Sequence, residues 1–485
     1  MLNRLRIDRS SLSNSPLTKT TACLMATATA LLLFAGVQAS AQHDKPSEKA
    51  PTFSVLSVFP EGTDGLYPGP PTSTSPLAVD REGNLYGTTP AGGDLSNPIC
   101  GIDCGAVFKV DRDGRESVIY TFTGGPTDSK QPSSVIRDEE GNLYGTAYHL
   151  IFKISPWGHE TDLYDFTGKS DGGDRSIYDE RLGGLIRDRE GNLYGVAPGG
   201  GLENGCTEYQ TPYKYNFPPL PGVGCGVVFR IDPRGRETVL YTFTGGADGG
   251  IPSGALVRDE EGNLYGTTLE GGDFSSLTCP TYKNGCGVIF KVDRHGKETV
   301  LHTFDAVAGI YAPNPTGLTR DRDGTLYGTT TNGGSNGEGV VYKLAVSGEY
   351  TVLHNFNYFV SDGMSPLAPP TLIGGDIYGA TPSGGETPGF PGVGVIYKID
   401  QSGNETVLYR FKGNDDGEVP ANQLTPDENG NLYGTTVGGG DLQATGCTLG
   451  CGVVYKVDLH QKCDDHHRHH NAWHGPLARH DDCEN

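Results

Sequence analysis

One seven-residue phrase constrains this chain more than any other feature. Gly-Asn-Leu-Tyr-Gly-Thr-Thr stands at 83–89 and returns in recognisable form at 141–147, 191–197, 262–268, 324–330, 375–381 and 430–436. Its tyrosines are Tyr86, Tyr144, Tyr194, Tyr265, Tyr327, Tyr378 and Tyr433, spaced about 58 residues apart on average. Self-similarity at a fixed period marks a repeat architecture, in which each unit buries its apolar faces against its neighbours.

Three further segments accompany each tyrosine segment. A short run such as Ala255–Asp259 precedes it. A run such as Val288–Asp293 follows it, and then a run of the form Glu-Thr-Val-Leu-Tyr-Thr-Phe, as at 237–243. All are rich in β-branched and aromatic residues and are bounded by Gly, Asp or Asn, so they read as strands joined by tight turns. Each repeat is then a four-stranded antiparallel meander with strands A, B, C and D, the unit that builds β-propellers. The last repeat stops after its C strand at Asp458. A spare D-type segment, Phe53–Phe59, stands ahead of the first A strand. A seven-bladed all-β propeller over residues 52–459, with segment 53–59 completing the last blade, leaves no strand segment without a partner.

The flanks differ in character. Residues 1–41 carry Arg4, Arg6, Arg9 and Lys19, an apolar run from Ala22 to Val37, and Ala39-Ser40-Ala41, the pattern of a cleaved secretory signal. Residues 42–51 read as a linker, and residues 460–485 as a histidine-rich tail. After signal cleavage no stretch is long and apolar enough to span a membrane. The formal charge of −22 argues against a nucleic-acid partner. Outside the signal the cysteines fall into local couples: Cys100/Cys104, Cys206/Cys225, Cys279/Cys286, Cys447/Cys451 and Cys463/Cys483. In a secreted chain such couples read as disulfides that clamp loops.

The phrase LYGTT…GG…GVVFKVD…G.ETVLYTF, repeated over about residues 52–458, resembles the GloVer (Gloeo/Verruco) tandem repeat of secreted bacterial "choice-of-anchor" proteins. The resemblance implies an extracellular or surface protein, and it brings no catalytic residues with it. Residues 460–485 depart from the family in having no apolar anchor helix.

Several residues invite a functional reading. Each C strand carries one basic residue, as at Lys109, Arg230, Lys291 and Lys398. Hairpin geometry suggests ion triads such as Lys109/Asp111/Glu116, with Asp111 facing Glu116. An Asp-Gly step follows most D strands, and Asp171, Asp248, Asp362 and Asp416 read as turn residues or as a carboxylate ring for a cation or sugar. The B–C loops vary in length. The loop of blade three carries Tyr209, Tyr213 and Tyr215, aromatics able to stack on a sugar ring or anchor a protein. In the tail, His466, His467, His469 and His470 are candidate ligands for a divalent metal, and no other cofactor is expected. No G-x-S-x-G, H-E-x-x-H, P-loop or dinucleotide fingerprint occurs. The expected function is non-catalytic binding of a protein or glycan by a secreted or surface-associated scaffold, through the face bearing the B–C and D–A loops. The alternatives are a polysaccharide lyase or glycoside hydrolase on the same scaffold, and a purely structural surface protein.

Overall fold

The computed structural model of the protein describes residues 50–59, 76–93, 104–124, 131–173, 182–202, 224–273, 285–305, 313–357, 362–385, 392–443 and 450–460. The chain divides into two compact units, 1–48 and 49–485, and every described residue lies in the second. The signal-type segment 1–41 and tail residues 461–485 lie outside the described residues. Among the described residues all regular structure is β-strand, and no helix is long and apolar enough to cross a membrane.

Blade four shows the unit. Strand A is Gly250–Arg258, B is Leu264–Glu270, C is Val288–Val292 and D is Glu298–Thr303, hydrogen-bonded in that order. The same order recurs in blade one (78–121), blade two (132–165), blade three (186–242), blade five (315–355) and blade six (371–410). Blade seven takes its B and C strands from Leu432–Gly438 and Val453–Asp458. Its D strand is Thr52–Val58, from the other end of the chain. That strand runs antiparallel to Val453–Asp458, with Phe53 opposite Val457 and Val58 opposite Val453. The seven sheets form a closed seven-bladed β-propeller.

The hydrophobic core lies in the seams between blades. Seven clusters of buried side chains each draw on two adjacent blades. One joins Val454 and Tyr433 of blade seven to Leu85, Phe108 and Val110 of blade one. The residue just after each D strand is a buried phenylalanine that meets the central C-strand aromatic of the next blade. Phe122 meets Phe152, Phe243 meets Phe290 and Phe411 meets Tyr455, with ring centroids 5.1, 5.0 and 5.3 Å apart. The closing seam repeats the contact, with Phe59 edge-on to Phe108 at 4.9 Å. Near-perpendicular rings at such separations are favourable beyond the area they bury. The glycine of LYGTT permits this packing. A Cβ on Gly87 would stand 2.5 Å from Phe108 Cζ.

The C–D register corrects the expected ion triads. Asp111 N donates to Arg115 O, so the turn holds three residues, and Gly114 takes φ +83°. Val110, not Asp111, therefore stands opposite Glu116, while Lys109 stands opposite Ser117. A one-residue slip in a strand exchanges its faces, and the basic residue and the glutamate end on opposite sides of the sheet. Lys109, Lys153, Lys291 and Lys398 instead lie 5.5–5.8 Å over the ring centroids of Tyr86, Tyr144, Tyr265 and Tyr378, their B-strand partners.

Candidate functional site

The two faces of the propeller are built differently. The A–B and C–D turns share one face and follow a single pattern. In the A–B turn of blade one, Asp80 Oδ1 accepts from Asn84 N at 2.9 Å. Its Oδ2 accepts from Asn84 Nδ2 and from Tyr86 Oη, both at 2.8 Å. Asp138, Asp188, Asp259 and Asp427 repeat these bonds to Asn142/Tyr144, Asn192/Tyr194, Asn263/Tyr265 and Asn431/Tyr433. An arginine from the next blade's A strand lies over several of these tyrosines. Arg137 covers Tyr86, Arg187 covers Tyr144 and Arg258 covers Tyr194, at 5.5–5.6 Å. Sequence reasoning missed these latches, although Ile-Arg-Asp or Val-Arg-Asp before the turn was their visible mark. It also passed over Trp157, which is 86% exposed at a C–D turn of this face.

The opposite face carries the B–C and D–A connections. Six of its seven B–C loops leave and return through a shared glycine neck. Gly105 N donates to Gly92 O, and the same bond joins Gly226 to Gly200, Gly287 to Gly271, Gly339 to Gly333, Gly394 to Gly384 and Gly452 to Gly439. Blade two has a two-residue turn instead, Tyr148-His149, where His149 Nδ1 and Asp165 Oδ1 stand 2.6 Å apart. The residue ahead of the returning glycine accepts a hydrogen bond from the D–A connection. Cys104 O takes Gln131 N, Cys225 O takes Ile251 N, Glu338 O takes Ser365 N and Val393 O takes Val419 N. Each of these donors precedes a proline and has φ of +54° to +58°. Such backbone is strained for a non-glycine residue by about 1–3 kcal/mol and persists where surrounding structure enforces it. Four of the six positive-φ non-glycine residues among the described residues share this one position.

The Asp-Gly steps lie on the same face, and their carboxylates are engaged locally. Asp171 accepts from Tyr164 Oη at 3.0 Å and from Thr167 N at 2.8 Å. Asp248 accepts from Tyr241 Oη and Thr244 N, both at 2.9 Å. Asp416 accepts from Tyr409 Oη at 2.7 Å, and Asp362 stands 2.9 Å from His354 Nε2. Each aspartate thus staples its D–A loop to its own D strand. Burial opposes the charge of Asp171, but bonds from Thr167 and Tyr164 outweigh it and hold its pKa below the usual value. Of the cysteines, Cys104, Cys225, Cys286 and Cys451 are buried at the necks. Cys100, Cys206, Cys279, Cys447, Cys463 and Cys483 lie outside the described residues. So do Tyr209, Tyr213 and Tyr215, and His466, His467, His469 and His470.

Near the axis, a small pocket between blades seven, one and two is lined by Leu77, Thr88, Phe108, Ser133, Ser134, Asn422 and Thr435, among others. It has room for about one water molecule, and no lining group titrates near neutral pH. Across the axis, Gln423 Nε2 of blade seven reaches Thr319 Oγ1 of blade five at 3.1 Å. Among the described residues, no group of three or more His, Cys, Asp or Glu side chains is arranged to hold a metal ion.

These features define the class: a seven-bladed β-propeller built from tandem four-stranded repeats. Residues 272–476 match the model of the Gloeobacter/Verrucomicrobia repeat. No curated protein matches the sequence. Among solved structures, a streptogramin B lyase is 14% identical, with a TM-score of 0.48 and coverage of 85% of this chain and 99% of that one. A gluconolactonase from Xanthomonas campestris is 12% identical, with a TM-score of 0.37 and coverage of 84% and 89%. A protein from Lactobacillus plantarum is 17% identical, with a TM-score of 0.42 and coverage of 72% and 85%. Similarity at this level transfers no activity.

Proposed function

We propose that the protein is a secreted or surface-associated, non-catalytic scaffold that binds a glycan or protein partner through its B–C and D–A loop face. The observation that carries this reading is the clustering of enforced backbone strain at the necks of that face, where loops of unequal length emerge from a uniform frame. Rigid necks beneath variable loops are the usual arrangement of a binding surface. Disulfides Cys100–Cys104, Cys206–Cys225, Cys279–Cys286 and Cys447–Cys451 would close four of these loops at the neck and lower the ordering cost of binding. Tyr209, Tyr213 and Tyr215 supply contact area on the longest loop. A fifth clamp, Cys463–Cys483, would close the histidine-rich tail, where a divalent metal is a separate expectation.

The test applies the mature chain to a glycan array and, in parallel, to polysaccharide-degradation assays. Binding without turnover is the expected result. Turnover would overturn the non-catalytic reading in favour of a lyase or hydrolase. Non-reducing peptide mapping should find the five local couples, and free thiols at Cys447 and Cys451 or cross-links between blades would contradict them.

A further inference from the structure

At the outer rim, adjacent blades meet through one recurring contact. An aromatic near the end of one D strand packs against a residue at the start of the next blade's D strand. In two seams both partners are rings. His302 lies flat on Tyr350, with centroids 4.0 Å apart and planes 1° apart, and Tyr409 lies on Phe53 at 3.7 Å and 5°. In three other seams the second position is a glutamate: Glu237 after Tyr164, Glu298 after Tyr241 and Glu405 after His354. In each glutamate Oε1 is buried and has no hydrogen-bond partner. The polar tip of each facing aromatic is already bonded to an aspartate, namely Asp171, Asp248 or Asp362. Each seam therefore brings a half-buried glutamate and an aspartate together from opposite sides.

We propose that these three seams act as a proton-operated clasp on the ring. With a proton on the glutamate, only one carboxylate of each facing pair is charged. When that proton passes to water, two carboxylates repel across the seam and the blades loosen.

The groups around each glutamate support this. Glu237 faces Tyr164 and Asp171, with Asp165 beside the tyrosine; Arg230 of its own blade reaches Thr238 instead, at 3.4 Å. Glu298 faces Tyr241 and Asp248, while Lys291 of its own blade lies over Tyr265. Glu405 faces Asp362, with His354, Arg410 and the Tyr397 hydroxyl also near; His354 and Arg410 oppose the shift without cancelling it. Burial first, and then the facing aspartate, push all three glutamates up to about 7. A carboxyl raised on folding stabilises the fold below its ordinary value and loses that contribution as pH rises through the folded value.

The experiment follows the melting temperature of the mature chain from about pH 5 to 9 beside the Glu237→Gln, Glu298→Gln, Glu405→Gln triple variant. Glutamine keeps the shape and removes the ionisation. The wild type should lose several degrees between about pH 5 and 7.5, and the triple variant should lose much less. Equal slopes would overturn the clasp. Carboxyl ¹³C titration of the wild type, assigned against the single variant Glu298→Gln, gives a second readout that does not depend on the triple variant folding. A Glu298 midpoint near 7 supports the clasp, and one near the ordinary value of 4.5 overturns it.

Discussion

The aspartate of each A–B turn holds three elements at once. Asp188 accepts from the turn backbone, from Asn192 and from Tyr194, so one carboxylate ties the turn to the B strand. Replacing it leaves several donors without an acceptor, each costing about 1–3 kcal/mol. Asp188→Ala should therefore destabilise by about 3 kcal/mol in chemical denaturation, while Tyr194→Phe should cost about 1 kcal/mol. Burial raises the pKa of Asp80, Asp138, Asp188 and Asp259, but the bonds from asparagine and tyrosine win, and all four lie below the usual value. Their contribution is present above the ordinary carboxylate pKa and is lost as pH falls through the folded values. Melting temperature should thus fall steeply below about pH 4, and a flat acid limb would contradict the assignment. The turn itself was legible from Asp-x-x-Gly. The bond to tyrosine was not, because it forms only when the B strand returns beneath the turn six residues later.

Among elements, the closing strand was legible because Phe53-Ser-Val-Leu-Ser-Val-Phe59 carries the D-strand pattern at the wrong end of the chain. What the strand does in space was less visible. Phe53 stacks on Tyr409 and lies edge-on to Phe411, and Phe59 is fully buried against Phe108. The N-terminal strand therefore grips both neighbours of the last seam. Phe59→Ala should cost about 3–5 kcal/mol as a buried aromatic truncation. Deleting residues 42–60 should lower the melting temperature further and expose the Val453–Asp458 edge. An unchanged melting temperature in the truncation would contradict closure. The C–D hairpins show where sequence reading slipped. Counting from Asp113-Gly114 as a two-residue turn placed Lys109 and Glu116 on one face. The positive-φ glycine makes the loop one residue longer, and the glutamates face the preceding blade instead.

For the whole molecule, period and strand pattern suffice to specify seven blades, since each strand is short, aromatic and punctuated by turns. The seams depend on contacts between residues about 30–60 positions apart, such as Phe122 with Phe152 or Arg258 with Tyr194, and no local pattern encodes those pairings. The proposed binding face was legible only as a contrast between uniform turns and unequal loops. Its strained necks required backbone angles, which sequence does not display. The most direct test of this account compares the mature chain with Tyr213→Ala/Tyr215→Ala on the loop face, and with Arg294→Ala and Trp157→Ala on the turn face, on the same glycan array. The account predicts that the loop-face variant loses at least ten-fold in signal, about 1.4 kcal/mol, with an unchanged melting temperature, while both turn-face variants bind as the parent does. Full binding by the loop-face variant, together with loss of binding in Trp157→Ala or Arg294→Ala, would contradict it.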